Sequence, residues 1–193
     1  LRYAGAWKDL GTWNTLTEIM EKPTLGNVTM DDRCCGTHVV NELDVPILVM
    51  GGQNLIVAAS PEGILVADKT ASSHMKSYVE KIDQPVMFAE KSWGSFRIID
   101  VEEGSLTIKV TLHTGHAMNY HSHACRREIW NVVSGSGTVL LDGEVRVVAA
   151  GDVIDIPVGM KHKISARERM VVIEVQIGAD IVKEDKIKWS EEV

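Results

Sequence analysis

From Ser92 onward the chain breaks into about nine short β-type runs within fewer than 90 residues, and this rhythm constrains the fold more than any other feature. The candidate strands are 95–101, 106–113, 117–123, 127–133, 137–141, 144–149, 153–156, 161–166 and 169–177. Glycine-containing turns such as Asp142-Gly143, Ala150-Gly151 and Val158-Gly159 separate many of them. Strands this short and this closely spaced have no room for helical crossovers. They predict an all-β sandwich or barrel.

The chain before this region reads differently. Apolar residues at helical spacing over 10–22 predict a short amphipathic helix ended by Pro23. Short β runs follow over 26–68, at His38-Val39-Val40, 46–50, 55–59 and 63–67, with turn signals at 51–54 and 60–63. Their regular spacing suggests stacked rungs of a small β-solenoid. Residues 70–82 read as a surface helix, and Asp83-Gln84-Pro85 as the start of a linker. The expected organisation is a small α+β region over 1–84, a linker over 85–91 and a β domain over 92–193.

Lys plus Arg total 20 and Asp plus Glu 27, a net charge of −7, which argues against a nucleic-acid partner. No apolar run is long enough to span a membrane, and the first residues carry no secretory h-region. Three cysteines, two of them adjacent (Cys34, Cys35 and Cys125), read as reduced thiols of a cytoplasmic protein. The chain enters Trp-rich sequence at once without an initiator Met, as expected of a piece of something longer.

Two blocks carry the chemistry. The first runs Gly115, five residues, His121, one residue, His123, four residues, Glu128, six residues, Gly135. The second runs Gly151, five residues, Pro157-Val158-Gly159, two residues, His162. On a strand, His121 and His123 point to the same face. Three imidazoles and a carboxylate form a natural ligand set for a divalent transition metal. A lone strand histidine is more often a surface or hydrogen-bonded core residue, but nine positions at fixed spacing are hard to obtain by chance.

The two blocks resemble the two cupin motifs, over about 90–177, with Ala166 where that pattern usually has Asn. The resemblance implies a double-stranded β-helix, or jelly-roll, barrel with His121, His123, Glu128 and His162 on one metal ion: zinc, manganese, iron, cobalt or nickel. Ser92-Trp93-Gly94-Ser95, 126–130, 157–162, 173–178 and Glu184-Asp185-Lys186-Ile187 together look like the C-terminal domain of type II mannose-6-phosphate isomerases. In that family the cupin follows a mannose-1-phosphate guanylyltransferase. Trp7-Lys8-Asp9-Leu10-Gly11-Thr12-Trp13 is similar to a segment near the end of that transferase domain, and 63–69 resembles the closing strand of its β-helical tail.

The resemblance implies interconversion of mannose 6-phosphate and fructose 6-phosphate in GDP-mannose biosynthesis, and a homodimer. It also implies a missing nucleotidyltransferase domain as a possible partner. Asp9 matches the family aspartate that helps hold a catalytic Mg²⁺. The sequence has no Gly-rich phosphate loop, and Glu21-Lys22-Pro23 lies in the wrong order for the family's E-K-P motif, so guanylyl transfer by this chain alone is not expected. Aligned on Glu128, His121 replaces a family Gln, while Cys125 and Ile129 each replace a His. The His121 change favours tighter binding of zinc, iron or nickel.

For isomerisation, Arg126 and Lys161 are the catalytic candidates. Arg126, Arg127 and Trp130 are the candidate substrate contacts, with Arg126 first for the phosphate. Lys109, His113, His116 and Glu174 remain possible bases. A non-catalytic sugar-binding or nucleotide-sugar-binding cupin, and another metal cupin such as an oxygenase, fit the same residues.

Overall fold

The computed structural model describes residues 11–179 and 181–190, so Trp7, Asp9 and Leu10 lie outside the described residues. The chain divides into two compact units, 1–85 and 86–193.

In the first unit, helix α1 spans Trp13–Thr17. Thr12 caps it reciprocally: the Thr12 hydroxyl accepts from the Thr15 amide and the Thr15 side chain accepts from the Thr12 amide. The helix is shorter than the 10–22 expected. Pro23 disfavours helical backbone before it, and the Pro23 carbonyl instead accepts from the Val39 amide, which brings the chain into a sheet. Strands β1 (Thr24–Leu25), β3 (His38–Asn41) and β5 (Leu55–Ser60) pair in parallel, and β6 (Gly63–Asp68) closes this sheet antiparallel to β5. Strands β2 (Val28–Met30) and β4 (Ile47–Val49) form a second parallel pair.

Successive strands of one sheet alternating with strands of another are the solenoid-like rungs read from 26–68. Val39 and Ile56 are fully buried between them. Asn41 locks the turn between rungs, its amide nitrogen donating to the Asn27 and Val45 carbonyls. The surface helix expected over 70–82 is two short pieces, a 3₁₀ turn over Ala71–His74 and α2 over Lys76–Val79.

The second unit begins with β7 (Phe88–Lys91), β8 (Gly94–Glu102) and β9 (Ser105–Leu112). Next come β10 (His121–His123), β11 (Arg126–Ser134), β12 (Ser136–Leu141), β13 (Glu144–Ala149), β14 (Val153–Ile156), β15 (His162–Ala166), β16 (Met170–Gly178) and β17 (Lys186–Lys188). They form a five-stranded sheet, β13-β12-β15-β10-β17, and a six-stranded sheet, β14-β11-β16-β9-β8-β7. This is a double-sheet jelly roll, the architecture the sequence resemblance implies. Among the described residues the strand pairings stay within these two sheets.

Three expectations are corrected. Residues 88–91 are not linker but an edge strand antiparallel to β8. The strand expected over 117–123 shortens to His121–His123, with a single bridge from Ala117 to Ser165 before it. Strand β17 was not expected; it pairs antiparallel with β10.

Alternation along the strands decides what faces the interior. On β11, Arg126, Glu128, Trp130 and Val132 are buried in turn; on β16, Met170, Val172, Glu174 and Gln176 are; on β15, His162, Ile164 and Ala166 are. Trp130, Val132, Val139, Ile154, Ile156, Ile164 and Val172 pack into one apolar core. The interior therefore has an apolar end and, continuous with it along the same strands, a polar end. No disulfide joins any two of Cys34, Cys35 and Cys125.

Motif glycines serve the turns. Gly135 and Gly151 have φ of +82° and +96°, where side chains are strained. At Gly135 a Cβ would also lie 2.3 Å from the Arg169 carbonyl oxygen, whereas at Gly151 it would meet nothing within 4 Å. Gly135→Ala is therefore expected to destabilise the protein by about 1–3 kcal/mol more than Gly151→Ala, the cost of forcing backbone apart. Urea unfolding of both variants checks this, and equal midpoints would remove the close-approach argument.

Candidate metal centre

The polar end of the interior is built on one cross-strand pair. His121 on β10 lies directly opposite His162 on β15. His123 follows two residues on, facing the same side, and the six-stranded sheet brings Glu128 from across the interior. The donor atoms of His121, His123 and His162 all lie within 4.8 Å of one another. Glu128 approaches His123 Nε2 at 3.1 Å through Oε1, and His162 Nε2 at 3.4 Å through Oε2. All four residues are buried. The Gly159 amide donates to the His123 carbonyl at 2.7 Å, so the second block's turn is tied to the first block's strand.

The hydrogen bonds settle where the imidazole protons are. His121 Nδ1 lies 2.7 Å from the Asn119 carbonyl, and His162 Nδ1 lies 2.9 Å from the Met160 carbonyl. A carbonyl only accepts, so each Nδ1 carries the proton of its neutral ring. The two Nε2 atoms, 3.1 Å apart, then face each other with lone pairs. A proton between them is disfavoured: burial, reinforced by the repulsion between the two rings were both protonated, pushes the His121 pKa down to about 3. Facing lone pairs, with a carboxylate alongside, are the donor set that a divalent cation satisfies. The residues present fit such an ion.

Glu128 stays ionised. Burial pushes its pKa up, but its close contacts with the His123 and His162 imidazoles outweigh this and hold it well below the ordinary carboxylate range. Arg126 Nε and Trp130 Nε1 also donate to it, at 3.2 and 3.1 Å. On the neighbouring strand, Glu174 lies in register with Trp130, and Gln176 with Glu128. The Gln176 amide donates to Glu174. Burial, followed by the charge of Glu128, pushes the Glu174 pKa up to about 8.

The structure brings some of the sequence candidates to this cluster and leaves others out. Arg126 is buried at its edge; Nη2 reaches His123 Nε2 at 3.2 Å, and Nη1 donates to the Val182 carbonyl at 3.0 Å. Arg127, next to Glu128 in sequence, has the opposite strand parity. It points away and forms a bidentate pair with Asp155 at 2.7 and 2.9 Å. Trp130 is 1% exposed, so its ring is core, with only the indole N–H turned to the site. The Lys161 ammonium rests over the Trp189 ring, 4.0 Å from its centroid. Lys109, His113 and His116 are exposed. Asp185, which the sequence reading placed only in a motif without a role, is buried beside His123.

Comparisons with known proteins place the chain in a family. The family model described as Mannose-6-phosphate isomerase C-terminal matches residues 80–192, more than half of the chain. A mannose-1-phosphate guanylyltransferase of Salmonella montevideo is 29% identical over 200 residues, covering 96% of this chain and 42% of the relative. The alginate biosynthesis protein AlgA of Pseudomonas putida is 29% identical over 206 residues, covering 98% of this chain and 41% of the relative. The chain thus spans about two fifths of the length of these curated relatives. Among solved structures, an RmlC-like cupin from Shewanella frigidimarina is 21% identical, with a TM-score of 0.44, covering 48% of this chain and 84% of that one.

His162→Ala is expected to weaken Zn²⁺ binding by more than about 100-fold, beyond the 10–100-fold typical of losing an outer hydrogen-bond partner. Arg127→Ala, on the opposite face, is expected to leave it unchanged. Competition with a chelating dye measures both. Equal affinities in the two variants would separate His162 from metal binding.

Proposed function

The chain belongs to the mannose-6-phosphate isomerase C-terminal family, and from that membership we propose that its second unit is a metal-dependent sugar-phosphate isomerase interconverting mannose 6-phosphate and fructose 6-phosphate. The observation that carries this reading is a pair of interior carboxyl groups with opposite tendencies. Glu128 is held ionised within the imidazole cluster, and Glu174 beside it is pushed up to about 8. Two acids driven apart by their surroundings are the usual sign of divided labour, one fixing charge and one moving a proton.

His121, His123, Glu128 and His162 would hold one divalent cation, and bound there it supplies Lewis-acid charge for the sugar oxygens at C1 and C2. Aldose–ketose exchange moves a proton between those two carbons. Glu174 is the group suited to carry it, because a base with a pKa near the working pH both takes and returns a proton readily. It removes the proton from C2 of mannose 6-phosphate and delivers it to C1 while the hydroxyl proton passes from O2 to O1, the reverse reaction running the other way. Gln176 holds the Glu174 carboxyl in place.

Arg126 is tied to Glu128 and Val182 and touches His123. That places it too near the cluster for a phosphate at the far end of the sugar. Its part is to offset negative charge where the C1 and C2 oxygens lie. Arg127 and Trp130 drop out as sugar contacts because of the positions described above.

Residues 1–84 we read as the tail of a sugar nucleotidyltransferase. The guanylyltransferase relatives match across 96% of the chain, and the parallel rungs of 24–60 support a β-helical tail. With no phosphate loop in its sequence, this chain is expected to form no GDP-mannose from GTP and mannose 1-phosphate. Product detected by chromatography would overturn that reading.

The central test is coupled turnover of mannose 6-phosphate with Zn²⁺, Mn²⁺, Co²⁺ and Ni²⁺ each supplied. Activity is expected with at least one. Glu174→Gln is expected to lower kcat by about 100- to 10,000-fold with metal content unchanged, the range for losing a positioned acid–base group. If no metal supports turnover, the isomerase reading is wrong and a sugar-binding role replaces it.

A further inference from the structure

The three imidazoles of the cluster are not oriented in the same way. His121 and His162 each give their Nδ1 proton to the carbonyl two residues earlier, Asn119 and Met160. That device is local, and each turn carries its own acceptor. His123 has no such partner. Its Nδ1 is buried and makes no hydrogen bond.

The atom facing it comes from the far end of the chain. After β16 the backbone passes through a 3₁₀ turn over Lys183–Asp185 and then adds β17 to the free edge of β10. This strap is fastened at several points. The Trp189 amide donates to the Tyr120 carbonyl at 2.9 Å, and the Trp189 indole donates to Ser122 Oγ at 2.9 Å. Within it, Asp185 Oδ1 accepts from the Ala124 and Cys125 amides at 2.8 and 2.9 Å, which clamps the loop between β10 and β11. Asp185 Oδ2 is left over. It too is buried without a hydrogen bond, and it lies 3.6 Å from His123 Nδ1 and 3.7 Å from Arg126 Nη1.

Buried polar atoms without partners are costly. Here two of them face each other at 3.6 Å, and a proton on His123 Nδ1 turns a donor toward the carboxylate. The other side of the ring permits the same arrangement. Arg126 Nη2, which can only donate, lies 3.2 Å from His123 Nε2. Glu128 Oε1, which only accepts, lies 3.1 Å from the same nitrogen but already accepts from Arg126 Nε at 3.2 Å. A proton on Nε2 would leave Nδ1 and Asp185 Oδ2 facing each other with no donor between them, so the single proton of a neutral imidazole belongs on Nδ1, pointing at Asp185.

We propose that Asp185, carried on the C-terminal strap, is the positioning residue for His123, fixing the tautomer that turns the Nε2 lone pair into the cluster. Asp185 completes for His123 what a local carbonyl does for His121 and His162. A carboxylate behind a ligand imidazole also raises the basicity of the ligand nitrogen. The metal side of this inference rests on the reading in the preceding subsection; the tautomer does not.

The test reads the tautomer directly, by long-range proton–nitrogen correlation spectra of the metal-free chain, and the Zn²⁺ affinity separately. Wild type is expected to show His123 protonated at Nδ1. In Asp185→Asn the amide oxygen keeps the two backbone N–H donors, which turns the NH₂ group toward His123 Nδ1. A donor there demands a lone pair, so His123 is expected to switch to the Nε2-protonated form. The Zn²⁺ affinity should fall by about 10–100-fold, while His121 keeps its tautomer because its partner is Asn119.

A residue that merely held the loop would leave the His123 tautomer unchanged in this variant. The proposal is overturned if wild-type His123 is protonated at Nε2, a measurement that needs no variant to fold. It is also overturned if Asp185→Asn changes neither tautomer nor affinity. Failure of the wild type to bind Zn²⁺ while His123 is Nδ1-protonated and switches in the variant would overturn the metal reading and leave the Asp185–His123 pairing standing.

Discussion

The second unit depends on a single cross-strand pair, His121 opposite His162, whose Nε2 atoms meet at 3.1 Å in a buried site. Two imidazoles with lone pairs turned toward each other repel, and burial resists the proton that would relieve them. Such a pair persists only if the surroundings over-determine it. They do: each Nδ1 is tied to a carbonyl, the Gly159 turn is hydrogen-bonded to the His123 carbonyl, and β17 covers the outer edge of β10. The short β10, three residues long, is held on both sides and has little freedom to relax.

The rest of the interior follows from that constraint. Polar side chains in a sandwich core must be satisfied together or not at all. Here they are gathered at one end of the strands, and the apolar core occupies the other. Trp130 sits at the boundary, packing with Val132 and Ile164 while its N–H reaches Glu128. Glu174 and Gln176 continue the polar end along β16. The same alternation that buries Glu128 sends Arg127 outward to Asp155, so neighbours in sequence have unrelated tasks.

The first unit solves a different problem. Its parallel strands are two to six residues long and would be marginal as an ordinary sheet. Stacking in rungs buries Val39, Ile56 and their neighbours between successive layers, and Asn41 satisfies the backbone carbonyls exposed by the turns. An arrangement of this kind is modular.

Much of this was legible in the sequence because it is local or periodic. Turn glycines and period-two alternation marked most of the strands of the second unit, and the spacing of His121, His123, Glu128 and His162 marked the candidate ligands. Strand parity could also have separated Arg126 from Arg127, since only the former shares a face with Glu128. The role of Trp130 was harder to foresee, because its indole is at once core and donor. Glu174 was one possible base among several until burial beside Glu128 distinguished it. Asp185 was visible only as part of an unassigned motif: the carboxylate is brought to His123 by the pairing of β17 with β10, across 61 residues of sequence from the Ala124 amide it also accepts from. Sequence by itself determined the β architecture and the four candidate ligands, because strand period and turn chemistry act over a few residues. Only the tertiary structure decided which charges face the cluster and what orients its third imidazole, because those contacts exist only once the two sheets and the terminal strand have closed around a site that excludes water.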